Sequence, residues 1–109
     1  MKKIYSKEIV EAEQFTDDYT PDGVLLADEG FIKKVLAKSL YESRGDKVFY
    51  LFKLPKPNDV NKDIALLFGV PYPFEWIEKG DYVLTYSNGY ACVEKKQYFE
   101  HHYKQINMP

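Results

Sequence analysis

The feature that most constrains this chain is the dipeptide Asn88-Gly89, which stands between two runs of strand-prone residues and so demands a chain reversal. Upstream lies Trp76-Ile77-Glu78-Lys79-Gly80-Asp81-Tyr82-Val83-Leu84-Thr85-Tyr86, and downstream lies Tyr90-Ala91-Cys92-Val93-Glu94. Asn and Gly both tolerate left-handed dihedrals, so the pair predicts a two-residue type I′ hairpin. Such a turn sets Tyr86 opposite Ala91, Leu84 opposite Val93 and Tyr82 opposite Lys95. Thr85–Cys92 and Val83–Glu94 then fall on the other, less apolar face. Residues 95–106 follow with helical spacing: Phe99, Tyr103 and Ile106 form an apolar stripe, and Glu100–Lys104 is an exposed i,i+4 pair.

The rest of the chain divides at its turn signals. Residues 9–15 alternate as a strand, imperfectly, which suits an edge or half-covered position. Asp17-Asp18-Tyr19-Thr20-Pro21-Asp22-Gly23 is a loop, and Val24-Leu25-Leu26 a very short strand. Asp28 predicts an N-cap, with Ile32, Val35, Leu36 and Leu40 on one helical face and Lys33, Lys34 and Lys38 turned outward, as far as Ser43. Residues 47–54 form the most strand-like run, placed centrally. Val60, Ile64, Leu67 and Phe68 fit a helix ended by Gly69, although the same residues are apolar enough for a strand. The expected architecture is a single α+β domain, 1–109, with a twisted, mainly antiparallel sheet of about four to five strands and two to three short helices.

Composition narrows the function classes. With 45% hydrophobic and 17% aromatic residues in 109, the chain can bury a core without staples. The lone Cys92 rules out an internal disulfide. The basic start Met1-Lys2-Lys3 has no apolar stretch behind it, which predicts no secretion signal, and the apolar run 64–70 is too short to cross a bilayer. A cytoplasmic protein with no membrane partner is the expectation. The net charge of −2 hides an asymmetry: residues 8–32 hold eight acids and no Lys or Arg. An acidic surface of this kind attracts a basic partner. Solvation of an N-terminal strand and loop by acids that pair with lysines elsewhere is the plainer explanation.

No recognisable catalytic constellation occurs. His101 and His102 are adjacent, so on a helix they point about 100° apart and cannot share one metal ion. Cys92 lies in a strand with no histidine patterned beside it, and phosphate-binding or dinucleotide glycine motifs are missing. Glu11 and Glu13 share a strand face about 6–7 Å apart, a spacing open to acid–base work but common by coincidence. No catalytic residue, cofactor or metal is therefore expected. Arg44-Gly45-Asp46 reads as a turn.

Two ends of the chain carry a resemblance. Glu11-Ala12-x-Gln14-Phe15-Thr16 resembles the opening strand of short phage and prophage accessory proteins. Gly80, Asp81, Tyr82, Val83, Gly89, Lys95, Phe99, Glu100 and Tyr103 resemble the module that closes them. The stretch between Asp22 and Phe74 matches nothing in that group, and Ala91-Cys92-Val93-Glu94-Lys95 replaces its usual Tyr-Pro-Cys-Lys-Pro run. The resemblance implies a mobile-element origin and carries no catalytic residue. By analogy with small phage proteins, it implies a non-enzymatic inhibitor of a host-defence enzyme, with CRISPR nucleases among the targets, in a bacterial cytoplasm. Glu11, Glu13, Asp17, Asp18 and Asp22 are the expected partner-binding acids, with Tyr19 as aromatic anchor. The alternative is a nucleic-acid- or nucleotide-binding accessory protein using Lys33, Lys34, Lys38, Lys53 and Lys56 beside aromatic residues.

Overall fold

Residues 48–52, Val-Phe-Tyr-Leu-Phe, leave no polar face, so a strand made from them must be covered on both sides. The computed structural model describes residues 9–43, 45 and 47–107; the strand in this run is shorter than expected, with Leu51 and Phe52 buried on its opposite faces, while Val48 lies ahead of it and is exposed. Strand β3 (Tyr50–Lys53) is central in an antiparallel sheet, between β2 (Val24–Leu26) and β4 (Phe74–Ile77). A second antiparallel sheet sets β5 (Tyr82–Tyr86) between β1 (Ile9–Gln14) and β6 (Ala91–Glu94). The α+β architecture thus divides its six described strands into two sheets of three. Phe15, Val24, Phe52, Leu54, Ile77 and Val83 fill the space between the sheets.

The far face of the β2-β3-β4 sheet packs Leu51 with Ala27 and Ile32, walled by Phe31, Phe49, Phe74 and Trp76. Phe31 meets the Phe74 and Trp76 rings edge-on at 5.1 and 6.2 Å. Ile32 and Phe31 come from helix α1 (Glu29–Val35), whose N-cap is Asp28: its carboxylate accepts the Phe31 N–H at 2.8 Å. The single helix expected here is broken. Leu36 leaves helical dihedrals, at φ −100° and ψ 145°, and packs against the Leu51 cluster. Helix α2 (Lys38–Ser43) then starts afresh, so Leu40 stands exposed instead of joining the buried face.

Helix α3 (Asp59–Leu67) settles the ambiguous stretch. Asn58 caps it by accepting the Asn61 N–H at 2.8 Å, and Gly69 adopts φ +69° just past its end. Helix α4 (Lys96–Asn107) closes the chain over the outer face of the second sheet, where Phe99 stacks on Tyr82 at 3.9 Å between ring centroids. The side chains of Tyr103, Lys104 and Ile106, and the residues Arg44 and Asp46, lie outside the described residues.

The hairpin is present, but its register is one residue away from the type I′ expectation. Tyr82 pairs with Glu94, Val83 with Val93, Leu84 with Cys92 and Thr85 with Ala91. The Gly89 N–H bonds to the Tyr86 carbonyl at 2.9 Å and the Tyr86 N–H to the Tyr90 carbonyl at 2.8 Å, enclosing a three-residue loop. Gly89 alone has positive φ, +89°. This is a type I turn followed by a left-handed glycine, the usual three-residue solution. The slip turns β6 over, bringing Val93 and Ala91 beside Val83 in the space between the sheets.

Gly89→Val is expected to destabilise the fold by about 1–2 kcal/mol, since a β-branched residue is strained at this φ. A Cβ here also meets Lys56 Nζ at 2.9 Å, a flexible end that can move aside. A denaturation midpoint equal to that of the unmodified protein would contradict the turn assignment.

Candidate functional site

Strand β1 is an edge strand, so its acids sit at a sheet margin. Glu13 pairs across from Val83 and Glu11 from Thr85, which puts both on the same side of the sheet. The loop after β1 folds back on itself. Thr16 donates its N–H to the Tyr19 carbonyl at 2.9 Å, while its hydroxyl accepts the N–H groups of Asp18 and Tyr19 at 3.3 and 3.1 Å. That tight turn swings Tyr19 back along β1, where its hydroxyl donates to the Glu13 carboxylate.

The acids around Tyr19 act on it together. Its phenol is pushed up to about 12, first by the hydrogen bond to Glu13, with further contributions from the charges of Asp22 and Glu11. The ring stays a neutral donor at physiological pH. Glu11, Glu13, Tyr19 and Asp22 therefore form one negative patch around a half-exposed ring. Asp17 is turned elsewhere: it pairs with Lys79 at 2.8 Å, which holds its carboxyl below the usual range and raises the ammonium. Asp18 is exposed beside it. Of the six acidic-face residues read from sequence, four share one field, one is neutralised by a lysine, and Asp18 faces solvent.

The lysines are not gathered in the same way. The helix break separates Lys38, on α2, from Lys33 and Lys34, on α1, and Lys33 pairs with Glu29 at 3.4 Å. Lys53, at the end of β3, lies over the Tyr72 ring at 5.1 Å. Lys56 donates to the Asn88 carbonyl at 3.2 Å and so braces the hairpin loop. The five lysines are spread over four segments, and Lys33, Lys53 and Lys56 each engage a different neighbour.

Cys92 lies across from Leu84, not Thr85, and burial pushes its thiol up, away from the nucleophilic thiolate. Its polar neighbour is the Tyr86 hydroxyl at 3.7 Å. A cleft of about 330 Å³ opens beside it, lined by Lys56, Asn58, Glu75, Tyr86 and Tyr90 among others. The Glu75 carboxylate there accepts the Val93 N–H at 2.8 Å, bridging the two sheets. Among the described residues, no group of three or more His, Cys, Asp or Glu side chains could hold a metal ion, and no helix is long and apolar enough to cross a membrane.

Sequence reading missed the purpose of Asp81. It is only 5% exposed, yet its carboxylate accepts the Glu78 N–H at 2.9 Å, the Lys96 N–H at 3.2 Å and the Lys95 ammonium at 3.0 Å. It thereby closes a type II turn around Gly80 (φ +101°) and caps helix α4 from a distance. The opening strand joins the same knot: Gln14 Nε2 donates to the Gly80 carbonyl at 3.1 Å, and Phe15 exchanges backbone bonds with Gly80 and Asp81. Tyr82 adds its hydroxyl to Glu100 at 3.0 Å. Gln14 and Phe15 from the first end motif thus meet Gly80, Asp81 and Lys95 from the second in one structural joint. No protein-family model matches the chain, and no curated protein or solved structure shows significant similarity to it.

Proposed function

We propose that this chain is a non-enzymatic, phage- or prophage-type protein that binds a basic host macromolecule and inhibits it. A nucleic-acid-binding nuclease of host defence, of the CRISPR kind, is the target class that fits an acidic mimic. The observation carrying this reading is the Glu11–Glu13–Tyr19–Asp22 patch. Among the described residues, none of its carboxylates forms an ion pair with Lys or Arg, and its one aromatic ring is held at its centre. Uncompensated charge of this sort contributes little to stability and much to steering and partner choice. The reading places the protein in the bacterial cytoplasm, where such a target works. The lysines favour nucleic acid less, since Lys33, Lys53 and Lys56 are already engaged within the fold.

The test is affinity capture from a bacterial lysate, with and without nuclease treatment, using the tagged protein and a Glu11→Lys, Glu13→Lys, Asp22→Lys variant. The unmodified protein should retain a protein partner after nuclease treatment, and the retention should weaken with salt. The variant should lose that partner while its melt changes by no more than about 1 kcal/mol. Capture abolished instead by nuclease, or by reversing Lys34 and Lys38, would replace this reading with nucleic-acid binding.

A further inference from the structure

Helix α3 carries an apolar stripe that its own fold leaves uncovered. Val60, Ile64, Leu67 and Phe68 follow the spacing of one helix face, yet they are 64%, 47%, 80% and 42% exposed. Within the helix only Ala65 is buried. Single exposed apolar residues are ordinary, but a contiguous face of them marks an association surface. The stripe runs into a groove of about 240 Å³, where Ile64 and Phe68 stand opposite Val35 of α1 above Phe74 and Trp76.

The two margins of this surface differ in charge. At 100° per residue, Asp59 and Asp63 fall on the edge of the stripe turned away from the groove, and both are exposed. The opposite bank is α1, where Lys34 is exposed beside Val35. A two-fold axis parallel to α3 lays the apolar stripe on its own copy and brings the acidic edge of each protomer to the lysine bank of the other. In that arrangement the apolar stripe meets itself, and exposed Asp63 and Lys34 of opposite charge lie on facing margins.

We propose that this face is a homodimer interface, with α3 packed against α3 of a second copy, Leu67 and Val60 near the centre, and Asp63 of each protomer facing Lys34 of the other. It uses different elements from the acidic patch, so each protomer keeps that patch free, and a dimer presents two.

Sedimentation of the full chain, from low micromolar to its solubility limit, should show a monomer–dimer equilibrium. Leu67→Asp sets two carboxylates into each interface and should weaken association by on the order of a hundredfold or more. Because Leu67 is exposed in the protomer, its melt at low protein concentration should be unchanged. Lys34→Asp should weaken the dimer roughly tenfold, and adding Asp63→Lys should restore it. A chain that remains monomeric throughout, or a dimer that survives Leu67→Asp, overturns the proposal. Failure of Asp63→Lys to rescue Lys34→Asp overturns the two-fold arrangement.

Discussion

Phe15→Ala should lower the stability of this protein by about 3–5 kcal/mol, read as a shift in the urea midpoint at constant slope. The ring is 1% exposed and meets Tyr50 edge-on at 5.0 Å, in the apolar space between the two sheets. Truncation removes its burial and leaves a cavity that neither sheet can close, because the Phe15 backbone is pinned on both sides. Its N–H bonds to the Asp81 carbonyl at 2.9 Å, and its carbonyl accepts the Gly80 N–H at 2.6 Å. Phe15→Leu, which keeps most of the volume, should cost about a third as much. Equal midpoints for Phe15→Ala and the unmodified protein would mean that the sheets do not pack through this residue.

Asp81→Ala should cost about 3 kcal/mol by a different route. The substitution leaves the Glu78 and Lys96 N–H groups without their acceptor in a partly buried joint, each toward the lower end of the about 1–3 kcal/mol that a fully buried group costs. Lys95 also loses its partner, but its side chain is half exposed and regains water, so its share is small. Asp81→Asn keeps one oxygen acceptor and should retain about half of the stability. The damage should be local as well: amide exchange in the first turn of α4 should speed up more than exchange in β3. Uniform acceleration everywhere would show that the carboxylate does not act as the helix cap.

Much of this framework can be read from the sequence, and the failures have identifiable physical causes. Asp28 and Gly69 mark their helix ends because each does one local job, accepting an orphan N–H or adopting positive φ. The middle of the 47–54 run declares a central strand because Leu51 and Phe52, on opposite faces, both have to be buried. The hairpin register misleads because Asn-Gly serves two turn types equally well. Alternation cannot break the tie, since adjacent Val83 and Leu84 are both buried. The break at Leu36 has no Gly or Pro to announce it, because packing against the Leu51 cluster decides it. The acids of β1 are legible as charge, but their grouping around Tyr19 depends on a loop conformation fixed by Thr16. Asp81 reads as an ordinary turn residue until the helix it caps, fifteen positions later, is folded back onto it.

The pairing of β1 with β5 bears on how the chain is made. β1 finds its hydrogen-bond partner only after a long intervening stretch, as the Gln14–Gly80 contact, 66 positions apart, illustrates. A ribosome adding about 5–20 residues per second leaves that strand exposed for several seconds, and such long-range closure is intrinsically slow. An unpaired strand is an invitation to cross-chain aggregation unless charge guards it. Glu11 and Glu13 stand on that waiting strand. On the proposed function the same carboxylates would serve twice, guarding the strand during synthesis before they meet a partner, so neutralising them should depress soluble yield even where the folded state hardly changes.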